Sequence, residues 1–284
     1  MLIAWGFVIP ALVFYAVFVL VPILMSVYYS LLRWDGIGRS QFWGLRNYVT
    51  VLSESDFLQI LGNAFQLVVY FTVIPVAIGL GVATTIREHL SGRFGTIART
   101  VLFIPQVIPL VAAGIAWTWM FASNGVVNQA LRLIGLGAIT RGWLGDFDFA
   151  LPAVGLIGAW VLLGLCTMLL VTGIARIDPN LYEAAKLDGA SPWHEFRWIT
   201  LPGLRQEIGV CVTVTVIAAL ASFDIVYIAT GGGPGIQTTV PGLEIYRLAF
   251  AHRQVGLASA LAVVLMVLVI VVVLPIQWLT RPPK

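Results

Sequence analysis

Few side chains in this sequence are able to perform chemistry. Its 284 residues include 16 Lys and Arg, 13 Asp and Glu and 3 His, whereas 60% of the chain is hydrophobic. The only lysines are Lys186 and Lys284. Neither stands in the pattern Gly-x-x-x-x-Gly-Lys-Ser/Thr, in which a glycine-rich backbone cradles phosphates and the lysine reaches them. The chain is therefore predicted to have no nucleotide-hydrolysing site of its own.

Other catalytic patterns are also missing. The three histidines, His89, His194 and His252, lie in separate polar segments without the spacing of metal ligands. There is no Gly-x-Ser-x-Gly nucleophile turn. Cys166 and Cys211 both lie inside apolar runs, which favours small core residues over a disulfide. We expect no metal and no cofactor in this chain, and we expect that it is not an enzyme.

The most organised polar stretch is EAAKLDGASPWHEFRWITLP, residues 183–202, which stands between two apolar runs. Just before it, Asp178 can cap a helix whose first residue is Pro179, a position where no N–H is needed. The pattern predicts a helix from Pro179 to about Leu187. Gly189 is expected to end it by adopting the left-handed conformation.

The same start signal then recurs at Ser191 and Pro192, and Leu201-Pro202 is expected to end the second helix before the next apolar run. Two short capped helices at a fixed angle would form a lever. The alternative is an ordinary loop at a membrane interface.

The surrounding sequence is too apolar for a water-soluble protein. Its mean hydropathy is +0.96, and soluble chains average roughly 45–50% apolar residues. A helix that crosses a bilayer needs about 20 mostly apolar residues. Because the apolar runs are continuous rather than alternating, they indicate helices and not a barrel. The prediction is an all-α polytopic membrane protein whose six spans are approximately 4–32, 62–86, 101–121, 152–175, 207–229 and 255–279.

Basic residues set the expected orientation. With the N-terminus inside, the short inner segments hold nine Lys and Arg residues and the longer outer loops hold seven. Cytoplasmic segments are enriched in these residues. We therefore expect both termini, and the segment 178–202, on the cytoplasmic side.

That segment resembles the cytoplasmic EAA loop of ATP-binding-cassette importer permeases: Glu-Ala-Ala, a glycine four residues later, nine residues, then Ile-x-Leu-Pro. In that family the loop's short helix docks in a groove on the ATPase subunit. The resemblance implies a type I importer permease fold. It also implies a coupling role for the following residues: Glu183, Ala184, Ala185, Asp188, Gly189, Ile199, Leu201 and Pro202.

Further stretches resemble the carbohydrate branch of these permeases, which includes maltose-type and glycerol-3-phosphate-type subunits. GLRNY (44–48) is similar to a motif in their first outer loop, and FIPQVIPLVAAGIAWTWMF (103–121) is similar to their third span. FDIVYIATGGGPG (223–235) resembles the outer end of their fifth span. This likeness implies an outer gate and a loop facing a binding protein, formed by Asp224, Tyr227, Thr230, Gly232, Gly233 and Pro234.

Asp224 is the one acid expected inside a span, about two turns from its outer end. A bare charge there would cost up to ~3 kcal/mol, so it should face a wet cavity, pair, or accept N–H bonds from the glycine turn at 231–233. A role in capping that turn and a role with substrate both remain open. Our hypothesis is that Asp224 shapes the outer gate.

The third span contains Pro105 and Pro109, which are expected to kink it next to Gln106. Trp117 could stack on a sugar, but Trp117 and Trp119 are two residues apart on a helix and cannot both face one cavity. At least one is expected to be an interface anchor or to face lipid. The candidate substrate-pathway residues are Gln106, Trp117 and Asp224.

The resemblance covers nearly the whole chain and implies a division into residues 1–61, the first span and outer loop, and residues 62–284, a five-span core. It implies a permease in a bacterial or archaeal cytoplasmic membrane that imports a sugar. The implied partners are a second permease, two ATPase subunits carrying ATP and Mg²⁺, and an extracytoplasmic solute-binding lipoprotein; no nucleic acid is expected. Alternatives are glycerol-3-phosphate or another non-sugar solute, and an ion-coupled transporter, which would bury several charges.

Overall fold

The protein is built almost entirely of helices. The computed structural model describes residues 2–89 and 93–280. Its α-helices are α1 (Leu2–Tyr15), α2 (Val21–Ser30), α3 (Arg46–Ser53), α4 (Ser55–His89), α5 (Arg93–Val107), α6 (Leu110–Met120), α7 (Val126–Leu133), α8 (Ala150–Ile174), α9 (Pro179–Leu187), α10 (Pro192–Glu195), α11 (Leu201–Gly203), α12 (Arg205–Leu220), α13 (Asp224–Ala229), α14 (Pro241–Tyr246) and α15 (Val255–Leu279). The remaining elements are π-helical turns at Ala16–Leu20, Phe196–Thr200 and Arg247–Ala251, 3-10 turns at Gly137–Ile139 and Trp143–Gly145, and the antiparallel strands β1 (Leu32–Arg33) and β2 (Gln41–Phe42).

The apolar helices account for the predicted spans. Within residues 2–89 and 93–280, four helical stretches are long and apolar enough to cross a membrane alone: Val8–Ser30, Ser55–Arg87, Ala150–Ile174 and Val255–Leu279. Two bent pairs, α5 with α6 and Pro192–Gly203 with α12, raise the number to six if each pair is one span. The predicted all-helical membrane fold is confirmed, with one two-stranded hairpin added between the first two spans.

The third span is broken rather than merely kinked. Helices α5 and α6 meet at 99°. Pro109 precedes α6 with an extended ψ of 136°, while Pro105 lies inside α5 and is buried. Proline has no N–H and clashes with the preceding turn, so the helical ladder stops between the two halves. The single span predicted at 101–121 is therefore two helices, and the first begins eight residues earlier.

The fifth span is shorter than predicted. Helix α12 ends at Leu220, and α13 begins as a separate element at Asp224. The prediction of one continuous helix at 207–229 is wrong, because the helix is interrupted at residues 221–223, where Ser222 and Phe223 lie against Gly242. Asp224 consequently lies in the first turn of a short helix, where an acid is favourable, and not inside a span.

Helix α8 forms the centre of the bundle and packs on α4, α5 and α12. Small residues allow this close approach: a Cβ on Gly155 or Gly158 would overlap the rings of Tyr70 or Phe71, both on α4. Cys166 on α8 and Cys211 on α12 are buried in this core and are not joined by a disulfide, which confirms their prediction as core residues. The bundle thus provides a rigid frame for the two loops described next.

Candidate functional sites at opposite ends of the bundle

The first site, called here the capped segment, comprises residues 178–202. Asp178 Oδ1 accepts the N–H of Asn180 at 2.9 Å, and Pro179 is the first helical residue. Helix α9 ends at Leu187, and Gly189 follows with φ +78°. The N–H of Ala190 then donates to the Ala185 carbonyl at 2.9 Å, which closes the helix end. The predicted helix and its two terminal signals are confirmed.

The second half of the capped segment begins at Ser191, whose Oγ accepts the N–H of His194 at 3.4 Å. Helix α10 continues through a π-helical turn into α11, which ends at Gly203. The predicted end at Leu201-Pro202 is early by one residue. Leu204 is fully buried at the following bend, and the chain turns by 67° into α12. The segment therefore joins the bundle at a fixed elbow.

One side of α9 is anchored by Tyr182, which is 3% exposed. Its hydroxyl hydrogen-bonds with Thr200 Oγ1 at 3.0 Å. The Arg87 guanidinium, at the end of α4, lies 3.2 Å from the centre of the Tyr182 ring, a cation–π contact. Sequence reasoning missed all three residues, because neither the hydroxyl pairing nor the stacking follows from their spacing.

The other side of α9 is open. Leu187 is 90% exposed although it is apolar, and nothing lies within 4 Å of where a Cβ on Gly189 would stand. Of the predicted coupling residues, the exposed ones are Glu183, Ala184, Asp188, Gly189 and Pro202, and the half-buried ones are Ala185, Ile199 and Leu201. The capped segment is thus fixed from within and presents its conspicuous residues outward.

The second site, called here the glycine loop, comprises residues 230–240 at the opposite end of the bundle. Thr230 and Thr238 share a hydroxyl hydrogen bond of 2.7 Å, and Thr238 also donates to the Gly233 carbonyl at 2.8 Å. Thr239 Oγ1 donates to the Gly232 carbonyl at 3.0 Å. Gly232 has φ +92°, and a Cβ there would lie 2.6 Å from Thr239 Oγ1. Glycine is therefore required for both conformation and space.

Side chains from the frame hold the glycine loop in place. Asn63 on α4, which is 3% exposed, donates to the carbonyls of Ile236 at 3.0 Å and Thr239 at 2.8 Å. Arg247 donates to the Gly231 carbonyl and pairs with Glu244 at 3.9 Å. Sequence reasoning missed Asn63 and Arg247. A lone Asn in an apolar run was the available signal, since a buried amide needs partners.

Asp224 does not cap the glycine loop. Its side chain is exposed and has no hydrogen bond or ion pair within the described part of the chain. It lines a cavity of about 490 Å³, called here the Asp224 cavity, together with Gln106, Pro109 and Phe223. Gln106 Oε1 is buried, and no described residue donates a hydrogen bond to it. The Gln106 amide, next to the break in the third span, thus shares one cavity with the Asp224 carboxylate of α13.

Trp117 lies outside the Asp224 cavity. Its half-buried ring meets Trp160 edge-on at 5.5 Å and Phe121 at a tilt at 5.0 Å, against the core. Trp119 is 73% exposed on the surface of the bundle, as expected for an anchor or a lipid-facing residue. Tyr227 stacks on Phe223 at 5.3 Å and is 45% exposed beside the cavity.

Two further asparagines hold the loops on the side of the glycine loop. Asn128 is fully buried, donates to the Arg141 carbonyl at 2.7 Å and accepts from Trp143 Nε1 at 2.9 Å. Asn47, from the GLRNY stretch, donates to the carbonyls of Ser30 at 2.8 Å and Leu32 at 2.9 Å. The GLRNY stretch therefore has a structural role here, since Asn47 clamps the chain that follows the first span.

The fold is that of a helical protein whose apolar helices are long enough to cross a membrane. The family of binding-protein-dependent transport system inner membrane components matches residues 74–281. The chain belongs to this family.

Individual relatives of the chain are also permeases of transport systems. The chain is 36% identical to the probable ABC transporter permease protein YurN of Bacillus subtilis (strain 168), over 94% of this chain and 92% of that protein. It is 34% identical to the trehalose/maltose transport system permease protein MalF of Thermococcus litoralis, over 93% and 88%. The crystal structure of a bacterial alginate ABC transporter, in complex with alginate pentasaccharide-bound periplasmic protein, has the same fold: the TM-score is 0.81 at 23% identity, over 98% of this chain and 94% of that one.

Proposed function

We propose that this chain forms half of a pathway that imports a sugar, using ATP hydrolysed by separate subunits. The observation that carries the proposal is the capped segment, which is anchored by Tyr182 but exposes Ala184, Leu187 and Gly189. An apolar residue that is 90% exposed on a rigid helix is suited to a partner's groove. Family membership and the sugar named for the MalF relative support the same function.

In the proposed mechanism, the ATPase subunits move the membrane helices through the capped segment. ATP and Mg²⁺ are bound by two ATPase subunits, whose closure pulls α9. Tyr182 transmits that movement to Thr200 in the second half of the segment and to Arg87 at the end of α4. Because the segment continues through a 67° bend into α12, the displacement tilts the helices around the Asp224 cavity. Solute binding alone cannot drive uphill import; the motor must bias a bistable element.

The Asp224 cavity favours a neutral polyhydroxy solute. Its volume of about 490 Å³ lies within the usual range for small-molecule sites, roughly 300–1,000 Å³. The Asp224 carboxylate and Gln106 Oε1 both accept hydrogen bonds, as sugar hydroxyls require. No Lys or Arg is among the described lining residues, so a phosphate would meet a carboxylate without a countercharge. This observation favours a sugar over glycerol-3-phosphate.

The proposed assembly contains a second, related permease, two ATPase subunits and an extracytoplasmic binding lipoprotein, in a bacterial or archaeal cytoplasmic membrane. In the proposed orientation both termini and the capped segment are cytoplasmic, and the glycine loop faces the binding protein. The basic residues of the inner segments support this orientation. Arg281 and Lys284, which contribute to that bias, lie outside the described residues.

Site-directed cross-linking tests the proposal. Both native cysteines are buried, so a single introduced cysteine reports its own surroundings. In the intact assembly, Ala184→Cys and Leu187→Cys should cross-link to the ATPase subunit. Leu133→Cys, which is 88% exposed at the opposite end of the bundle, is the matched control and should not. Absence of any ATPase cross-link from both positions on α9 would contradict the proposed role.

A further inference from the structure

A second cavity lies directly behind the capped segment. It has a volume of about 450 Å³ and is lined by the ends of α4 and α8, by Arg99 in the middle of α5, and by residues of α9. We call it the arginine cavity, because Arg87 on α4 and Arg99 on α5 line it together. Arg99 has no part in the proposed sugar pathway, and Arg87 enters it only through its contact with the ring of Tyr182.

Both arginines have buried donors that lack an acceptor. No hydrogen-bond partner among the described residues reaches Arg87 Nη1 or Arg99 Nε, although both atoms are buried. A guanidinium is charged at every physiological pH. Leaving such donors unpaired away from water is costly, and each buried orphan in a folded protein needs an explanation. Both guanidinium groups also line the cavity, so an external acceptor there would meet their positive charge.

The charges in the cavity specify the acceptor. Lys186 adds a third positive charge, and Glu183 is the acid among the described lining residues, so the balance is positive. Arginine forks match the oxygens of phosphate. We propose that the arginine cavity binds a phosphate group, supplied either by the headgroup of an anionic phospholipid or by free phosphate.

The apolar lining makes a lipid the better fit. Ala83, Ile86 and Val171 continue the cavity between the helices, where acyl chains can lie beneath a headgroup. Basic pockets between membrane helices on the cytoplasmic side suit anionic headgroups. The choice of leaflet rests on the proposed orientation, but phosphate binding does not depend on it. A bound phosphate would bridge Arg87 on α4 and Arg99 on α5. Because Arg87 stacks on Tyr182, the position of α9 would then depend on which lipids are present.

Native mass spectrometry of the purified complex tests this site. The complex is incubated with phosphatidylglycerol, with phosphatidylcholine, or with millimolar inorganic phosphate, whose binding is followed by thermal shift. We expect preferential retention of phosphatidylglycerol, lowered about fivefold by Arg99→Gln, since each basic residue near a headgroup contributes roughly that factor. Arg99→Lys should retain most binding. Arg93→Gln, an exposed arginine at the start of α5 that does not line the cavity, should change nothing.

The arms separate the two sources. Retention of phosphatidylglycerol that depends on Arg87 and Arg99, without an effect of inorganic phosphate, identifies the lipid. Stabilisation by inorganic phosphate that Arg99→Gln abolishes, without lipid retention, identifies free phosphate. Binding of neither ligand, or binding that Arg87→Gln and Arg99→Gln both leave unchanged, would overturn the proposal. So would a carboxylate of another subunit found seated between the two arginines. None of these readouts requires transport, so failure here leaves the proposed sugar import intact.

Discussion

The capped segment and the glycine loop both carry conspicuous sequence patterns, but they use them in opposite ways. In the glycine loop, Thr238 and Thr239 are fully buried, and the hydroxyls and carbonyls satisfy one another. In the capped segment, Leu187 and Gly189 point away from the protein. Residues that hydrogen-bond to one another within a loop maintain its conformation, whereas residues exposed on a helix are available to bind another molecule. Substitutions in the two regions should therefore fail differently.

The largest effect is expected at Gly189. Its φ of +78° is inaccessible to proline, which holds φ near −65°. Gly189→Pro should reduce sugar uptake in reconstituted vesicles to background, because the end of α9 is lost, while the subunit still inserts. Gly189→Asn is the control: asparagine tolerates the left-handed region and the space around residue 189 is open. Uptake retained by the proline variant would show that the end of α9 plays no part in coupling.

In the glycine loop the damage should appear as instability. Gly232→Ala combines φ +92° with a 2.6 Å approach to Thr239 Oγ1, which should cost about 2–3 kcal/mol. The Tm in detergent should fall by about 6 °C. Gly235→Ala also has a positive φ, +58°, but its nearest neighbour is Phe147 at 3.8 Å, so a loss about half as large is expected. An equal fall in Tm for the two variants would show that the close approach to Thr239 does not contribute to the loss at Gly232.

Asp224 should affect transport without affecting stability. Loss of a hydrogen bond to a charged acceptor costs about 1.5 kcal/mol or more, so Asp224→Asn should lower uptake efficiency about tenfold, mainly through KM, with Tm unchanged. Asp148→Asn, an exposed acid that does not line the cavity, is the matched control. Unchanged transport and unchanged ATPase stimulation in Asp224→Asn would remove this residue from the outer gate.

The smallest effect is expected at the anchor of α9. Tyr182→Phe removes the 3.0 Å hydrogen bond to Thr200 but keeps the ring under Arg87. A bond of this kind contributes about 1 kcal/mol, so the sugar transported per ATP hydrolysed should fall a few-fold. Thr200→Val should match it, and the double variant should be no worse than either single one. Fully additive losses would show that the two hydroxyls act separately.

The capped segment was predictable because its structure is local. Asp178, Pro179 and Gly189 each act on the backbone within a few residues, so helix α9 was placed with its bounds. The four uninterrupted apolar helices were predictable for a similar reason, since span length depends on bilayer thickness. The coupling role itself came from a family resemblance and not from these local rules.

Features that depend on contacts between residues distant in the sequence could not be predicted. The end of α12 at Leu220 depends on Gly242, twenty-two residues later, packing against Ser222. Asp224 was placed in a span because an apolar run does not reveal where a helix turns away. Asn63 and Arg247, which hold the glycine loop, could not be predicted, because the sequence does not show which carbonyls a buried amide or guanidinium will bond.

The break at Pro109 lies in the wall of the Asp224 cavity and is a point at which the third span can bend. Within a continuous helix, swinging one half relative to the other would rupture ladder bonds. At this junction the proline nitrogen has no bond to lose, and α5 and α6 already diverge by 99°. Helix α5 packs on α8, and α6 packs on both α13 and α8, so a change of angle between the two halves beside Gln106 would break no helical ladder bond at their junction.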